Sequence, residues 1–330
     1  MRQAGRYLPE YRAVRSRFTN FMEFCLTPDA ATEVSLQPVH RFNLDVAIIF
    51  ADILTIPHAL GHTVTFTANE GPQLQHLTQP SQLDAMQSRL PEIPHVLAPV
   101  AQTIRQTRAA LPAEKAVLGF SGAPWTLACY LLDNKPSQGS PQLLAFQKEH
   151  PAAFTHLLEI LTNAIVSYLS MQAQAGATAI QIFDSWAATC PPALWESAVH
   201  RPLLTIIHRL RQIHPTLPVI LFPRGATPQQ LHALAKEMPP LTALSLSTEV
   251  DLAWASQSLQ PHTALQGNLD PHLMTLPDPT PLLTAARHAL TTAGAHPGYI
   301  VNLGHGLTPD ARPENIAALV EFVHNHSHAS

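Results

Sequence analysis

Asp45-Val46-Ala47-Ile48-Ile49-Phe50-Ala51-Asp52 is a near-continuous apolar run with a carboxylate at either end. An apolar run without strict alternation reads as a strand buried on both faces, the situation of a parallel sheet covered by helices. Its polarity returns at the C-terminal end, at Asp52. In parallel α/β folds that is the end where ligands bind.

Outward from this run the pattern repeats. Apolar segments at 116–120, 179–183, 219–222, 243–246, 263–266 and 299–303 read as further strands. Between and after them, residues 95–110, 154–169, 203–213, 228–237, 282–290 and 316–323 carry apolar side chains at helical spacing. Upstream, Thr27-Pro28-Asp29 reads as N-cap, first-turn proline and acidic first turn of a helix placing Val34, Pro38 and Phe42 on one face, with a kink at Pro38. Strand-helix alternation means parallel α/β, either an open doubly wound sheet or a closed (β/α)8 barrel. No GxGxxG or P-loop follows any strand, and polar residues sit past the ends of many strands rather than at one switch point. Both observations favour a TIM barrel formed by one domain over 1–330. Seven strands are visible, so an eighth would have to precede Met1. The expectation is a barrel lacking its first strand, less stable and less active than a chain with roughly twenty to thirty more residues upstream.

The totals narrow the partners. With 46% hydrophobic and 13% charged residues, 330 residues can bury a large core. A net charge of −4 gives no overall field to recruit nucleic acid or an anionic membrane. No run of about eighteen apolar residues and no basic-then-apolar leader is read, so the expectation is a cytoplasmic protein. The three cysteines, Cys25, Cys129 and Cys190, are far apart and odd in number, giving neither a disulfide framework nor a zinc motif. The histidine cluster at 324–328 reads as a solvated end.

Anion binding must therefore be local. Met1-Arg2-Gln3-Ala4-Gly5-Arg6-Tyr7-Leu8-Pro9-Glu10-Tyr11-Arg12 gathers three arginines and two tyrosines around a glycine, with no apolar period to make it core. Arg2 and Arg6 are four apart, so on a helix or tight turn their guanidinium forks point the same way and can grip carboxylates bidentately. The plainer alternative is a frayed basic terminus. Five further residues follow strands. Asp52 would ordinarily be a turn cap, Tyr130 a packed ring with a satisfied hydroxyl, and Asp184 or Ser185 a cap. His305, in Gly304-His305-Gly306, is less easily given to structure, because the flanking glycines let a ligand approach closely.

Taken together, MRQAGRYLPEYR, FADIL, the EGP at Glu70 to Pro72, FSGAPWTLACY, IFDSW, LQGNLDP and NLGHG resemble, in order and spacing, the uroporphyrinogen decarboxylase family, over nearly the whole chain. The resemblance implies a (β/α)8 barrel, usually a homodimer with facing clefts, that uses no metal or cofactor. It implies a small-molecule substrate, uroporphyrinogen III, whose four acetate arms become methyl groups to give coproporphyrinogen III. Carried over motif by motif, the substrate-binding arginines fall on Arg2 and Arg6 and the essential aspartate on Asp52, with Tyr130, Ser185 and His305 completing the site. Arg2, Tyr130 and His305 join Asp52 as candidate catalytic groups. Two positions depart from the family pattern: Arg224 stands where a lysine is common, and Ser247-Thr248 where Asp-Trp is usual. Two other readings remain open, a zinc- and corrinoid-dependent methyltransferase on the same barrel, whose His-x-Cys pair this chain lacks, and a non-catalytic tetrapyrrole binder.

Overall fold

Apolar runs become strands here because helices cover their outer face and other strands their edges. The computed structural model describes residues 5–67, 71–133 and 139–327. Its strands are β1 Val46–Ile48, β2 Val64–Thr67, β3 Gly71–Leu74, β4 Ala116–Gly122, β5 Ala179–Asp184, β6 Val219–Pro223, β7 Thr242–Ser245, β8 Ala264–Gln266 and β9 Tyr299–Ile300. Seven of them form one all-parallel sheet in the order β1-β4-β5-β6-β7-β8-β9, each joined to the next through helix. β2 and β3 form a separate antiparallel ribbon that sequence patterning did not reveal.

The sheet curls into an arc of a (β/α)8 barrel. Val46 and Ile48 lie with Leu118, Ala179, Ile220, Ala243 and Ala264 in one apolar cluster. Among the described residues no ladder joins β9 to β1. Between these two edges lies a cavity of about 930 Å³ lined by Val46, Ile48, Leu118, Ile220 and Ile300. Seven strands with an open seam is the arrangement expected from the count. The open seam leaves Ile300 41% exposed, unusual for a large apolar side chain.

The outer layer holds most of the core. The helix Pro151–Gln174 buries Leu157, Leu158, Ile160, Leu161 and Ile165, residues from several sides, because it packs on β4 and against the helices Pro124–Leu132 and Arg201–Ile213. By length and apolarity it could cross a bilayer, yet 61% of its most apolar window is buried inside the protein. The sequence reading took 154–169 for a helix without picking it out as long and apolar enough to span. Where β1 stops pairing, at Leu118, the Gln172 amide of this helix takes over. It accepts from Phe120 N at 2.8 Å and donates to Phe120 O at 2.9 Å.

Two expectations change. Tyr7, Leu8, Tyr11 and Val14 are all buried, so the arginine-rich opening does carry a core face, along the helix Pro9–Arg15 and the turn before it. Tyr11 packs edge-on to Phe50 with ring centres 5.7 Å apart, and Tyr7 stacks on Phe42. The helix Pro28–Phe42 contains Pro38, and Val34, Pro38 and Phe42 are buried as read. His324 and His326 lie in the last turn of the helix Pro313–Ser327, with His324 Nε2 3.0 Å from Asp45 Oδ1 just before β1, while His328 lies outside the described residues.

Candidate active site

The loops at the C-terminal ends of the parallel strands are stitched together in strand order. After β1, Asp52 Oδ1 accepts from Leu54 N at 2.8 Å, an Asx turn that fixes its carboxyl. Next to it, Ile53 presses on Gly122 at the end of β4: a Cβ on Gly122 would meet Ile53 Cβ at 3.1 Å and Leu127 at 2.9 Å. From β4 the chain enters the helix Pro124–Leu132, whose last turn carries Tyr130. Tyr130 meets Trp186, just after β5, with ring centres 6.2 Å apart and planes at 65°. Trp125 Nε1 donates to Trp186 O at 3.0 Å. Arg224 N, after β6, donates to Asp184 O at 3.1 Å. Asn268, after β8, donates to the carbonyls of Ser247 and Val250 after β7. Finally Gly304, after β9, lies so close to Thr248 that an added Cβ would sit 2.4 Å from Thr248 N.

The row therefore runs Asp52, Tyr130, Ser185, Arg224, Ser247-Thr248, His305. Tyr130 and Ser185 are brought together through Trp186, while His305 stands at the far side, beyond the Ser247-Thr248 turn. Ser185 opens onto a cleft of about 640 Å³ that Trp186, Arg224, Ser247, Asp251 and Trp254 also line. Arg6 sits exposed in the turn before the first helix, near enough to Tyr11 for its charge to oppose the rise of that phenol, which burial pushes up to about 12. Tyr11 in turn packs on Phe50, two residues before Asp52. Arg2 lies outside the described residues, as does Glu70. The arginine pair thus has one described member.

Among the carried-over residues, electrostatics mark Asp52. Burial pushes its carboxyl up to about 6, and the hydrogen bond from Leu54 N offsets only part of that. No cation pairs with it among the described residues. A half-buried carboxylate, charged at neutral pH and without a counter-ion, is poised to receive a cation or N–H donors from a ligand. At the other side, His305 Nδ1 accepts from Gly306 N at 2.7 Å. In the neutral ring the proton is then on Nε2, a donor suited to a carboxylate. Among the described residues no three His, Cys, Asp or Glu side chains converge as metal ligands would. Cys25, Cys129 and Cys190 are buried thiols, each pushed up by desolvation.

Patterning missed Thr126. Its hydroxyl reaches Asp184 Oδ1 at 2.5 Å and accepts from Trp186 N at 3.0 Å. The signal for it was faint: Ala123 stands where a helix beginning at Pro124 would ordinarily have a capping side chain.

Comparison with known proteins bears on the family and the fold. The sequence model of the family "Uroporphyrinogen decarboxylase (URO-D)" matches residues 1–326. Uroporphyrinogen decarboxylase of Rhodospirillum rubrum is 40% identical over 323 residues, which is 98% of this chain and 91% of that protein. That of Sphingopyxis alaskensis is 42% identical over 325 residues, 98% of this chain and 92% of that one. Among solved structures, a methyltransferase from Methanosarcina mazei superposes with a TM-score of 0.77 at 18% identity, covering 96% of this chain and 90% of that one. At that identity the likeness is one of fold.

Proposed function

This chain belongs to the uroporphyrinogen decarboxylase family, and from that premise we propose how its own residues divide the work. The reaction is the conversion of the four acetate arms of uroporphyrinogen III to methyl groups, giving coproporphyrinogen III; the enzyme is a carboxy-lyase of tetrapyrrole biosynthesis. Breaking the bond to a departing carbon dioxide leaves an electron pair that needs a sink. With no pyridoxal or thiamine in the family's reaction, the sink is the substrate's own pyrrole. Protonation of the ring carbon beside the arm makes the ring cationic, and the C–C bond electrons flow into it as carbon dioxide leaves. A proton then adds to the exocyclic carbon to form the methyl group, and loss of the first proton restores the pyrrole.

Asp52 is the group that faces that cation. Its carboxylate accepts the pyrrole N–H bonds and balances the positive ring, stabilisation that grows as the charge develops. The observation carrying this role is a half-buried carboxyl, fixed by the Leu54 amide, with no cation beside it among the described residues. Arg6, with Arg2, grips substrate carboxylates, and the planar fork is what suits them to it. Carry-over from the family also gives Arg2 a part in the chemistry of the reacting arm. A guanidinium is a poor free acid, so its part in the chemistry is to hold the arm where a proton can arrive. Tyr130, Ser185 and His305 bind particular arms as the macrocycle is turned through four rounds, Tyr130 and His305 beside the reacting one.

The proposal extends to a homodimer with facing clefts, carried over from the family, working in the cytoplasm. Incubation with uroporphyrinogen III under anaerobic reducing conditions, then oxidation and chromatography, tests the reaction. Appearance of coproporphyrin supports it, and an unchanged octacarboxylate refutes it. Light scattering of the purified protein tests the dimer.

A further inference from the structure

Three features outside the assigned residues merit a role: the seam cavity between β9 and β1, the Arg224 guanidinium at the rim, and the Asp184 carboxyl behind β5. The third is tied to the site by the most bonds. Asp184 is 1% exposed and Thr126 is not exposed at all. The helix Pro124–Leu132 starts with Ala123 at its cap position, so no side chain of its own satisfies its first amides. Asp184, from the next strand, reaches across to it. Thr126 Oγ1 donates to Asp184 Oδ1 at 2.5 Å, and the Thr126 amide also bears on the carboxyl. The same hydroxyl oxygen accepts from Trp186 N at 3.0 Å.

We propose that Asp184 and Thr126 form a buried clamp that positions Ser185 and Tyr130 for the substrate, Asp184 acting as a cap supplied from β5 to the helix that carries Tyr130. The clamp ties three points that would otherwise vary independently: the end of β5, the peptide after Ser185, and the first turn of the helix. Tyr130 is four residues after Thr126, on the same helical face and one turn on. Its ring packs on Trp186, whose own amide the clamp holds. Small errors in such placement are costly: a shift of about 1 Å in a positioned group can lower the rate roughly 100-fold. Burial outweighs the bonds from Thr126 and pushes Asp184 up to about 7, a cost to the fold that a merely decorative carboxyl would not carry. Its second oxygen is buried with no hydrogen-bond partner among the described residues, so packing alone does not explain an acid there.

The proposal rests on Ser185 and Tyr130 touching substrate, as assigned above. The test compares Thr126→Val, Thr126→Ser, Asp184→Asn and the Thr126→Val/Asp184→Asn double variant with the parent. Circular dichroism and melting are checked first, and all rates are taken well below the lowest melting point. Thr126→Val should lower kcat/KM roughly 10- to 100-fold, Thr126→Ser should recover most of it, and the double variant should be no worse than the poorer single one. At equal total carbon dioxide released, partly decarboxylated intermediates should accumulate in new proportions. A lower folded fraction would scale all four steps alike and leave the proportions unchanged. Single variants within twofold of the parent, losses that multiply in the double variant, or unchanged proportions would overturn the clamp. Ser185→Ala and Tyr130→Phe run alongside. If both are silent, the site assignment itself fails and the clamp with it; if they are costly while the clamp variants are silent, only the clamp fails.

Discussion

Replacing Asp52 by asparagine should make this protein more stable and nearly inactive at once. Burial lifts the Asp52 carboxyl from 3.8 to about 6. Two pH units correspond to roughly 3 kcal/mol between the charged and neutral forms. Because Asp52 is only half-buried, solvent screening trims this to ~1–2 kcal/mol. The native state holds its proton more tightly than the unfolded chain does. Above pH 6 the charge therefore weakens the fold by that amount, and the penalty is relieved as pH falls from about 6 toward 3.8. Asparagine keeps the acceptor for Leu54 N and removes the charge, so at pH 7.5 the variant should melt ~1–3 °C above the parent. At pH 5, where the parent's Asp52 is mostly protonated, the gap should shrink. Turnover should move the other way, falling on the order of 10²-fold or more at pH 7.5, since the charge that balances the ring cation is gone. For the same reason the parent's kcat/KM should drop as pH falls through about 6. Melts at both pH values and chromatography of the oxidised products read all of this. A variant with near-parental turnover, or one that melts below the parent at pH 7.5, would refute the reasoning.

Arg6→Lys should raise KM for uroporphyrinogen III even though charge is kept, because an ammonium has no planar fork for a carboxylate; identical KM and turnover would count against a bidentate role. Gly304→Ala should destabilise the protein by about 1–3 kcal/mol and displace His305, since the new methyl would meet Thr248 N and Oγ1 at 2.4 Å; thermal melting and KM report the two effects separately. Trp125→Ala should cost ~3–5 kcal/mol, because the ring is fully buried and its Nε1 holds Trp186 O, which denaturant unfolding would measure. Decarboxylation should survive prolonged chelation, and a loss restored by added zinc would favour the methyltransferase chemistry instead.

Local chemistry made much of the architecture legible. Residues 228–237 form a helix to the residue read, because Thr227 and Gln230 close a capping box and Pro228 sits at the first helical position. The apolar runs at 179–184 and 219–223 are strands buried on both faces, and that condition is written in their composition. The count of seven parallel strands followed, and so did the places where polar residues leave the sheet. Tertiary structure decided what composition leaves undetermined. Tyr7 and Tyr11 are core because Phe42 and Phe50, from distant segments, come to cover them; nothing within the first twelve residues specifies that. β9 is two residues long where the five-residue segment 299–303 suggested more, because pairing needs a neighbour and β8 supplies one only that far, apart from the bridge at Leu303. Strand-end aspartates look alike as letters, and only the fold separates them. Asp52 stands without a cation among the described residues, and Asp184 is locked to Thr126 behind the sheet. A side chain's charge state and partners depend on everything packed within a few ångströms of it, and those neighbours come from parts of the chain that sequence order keeps far apart.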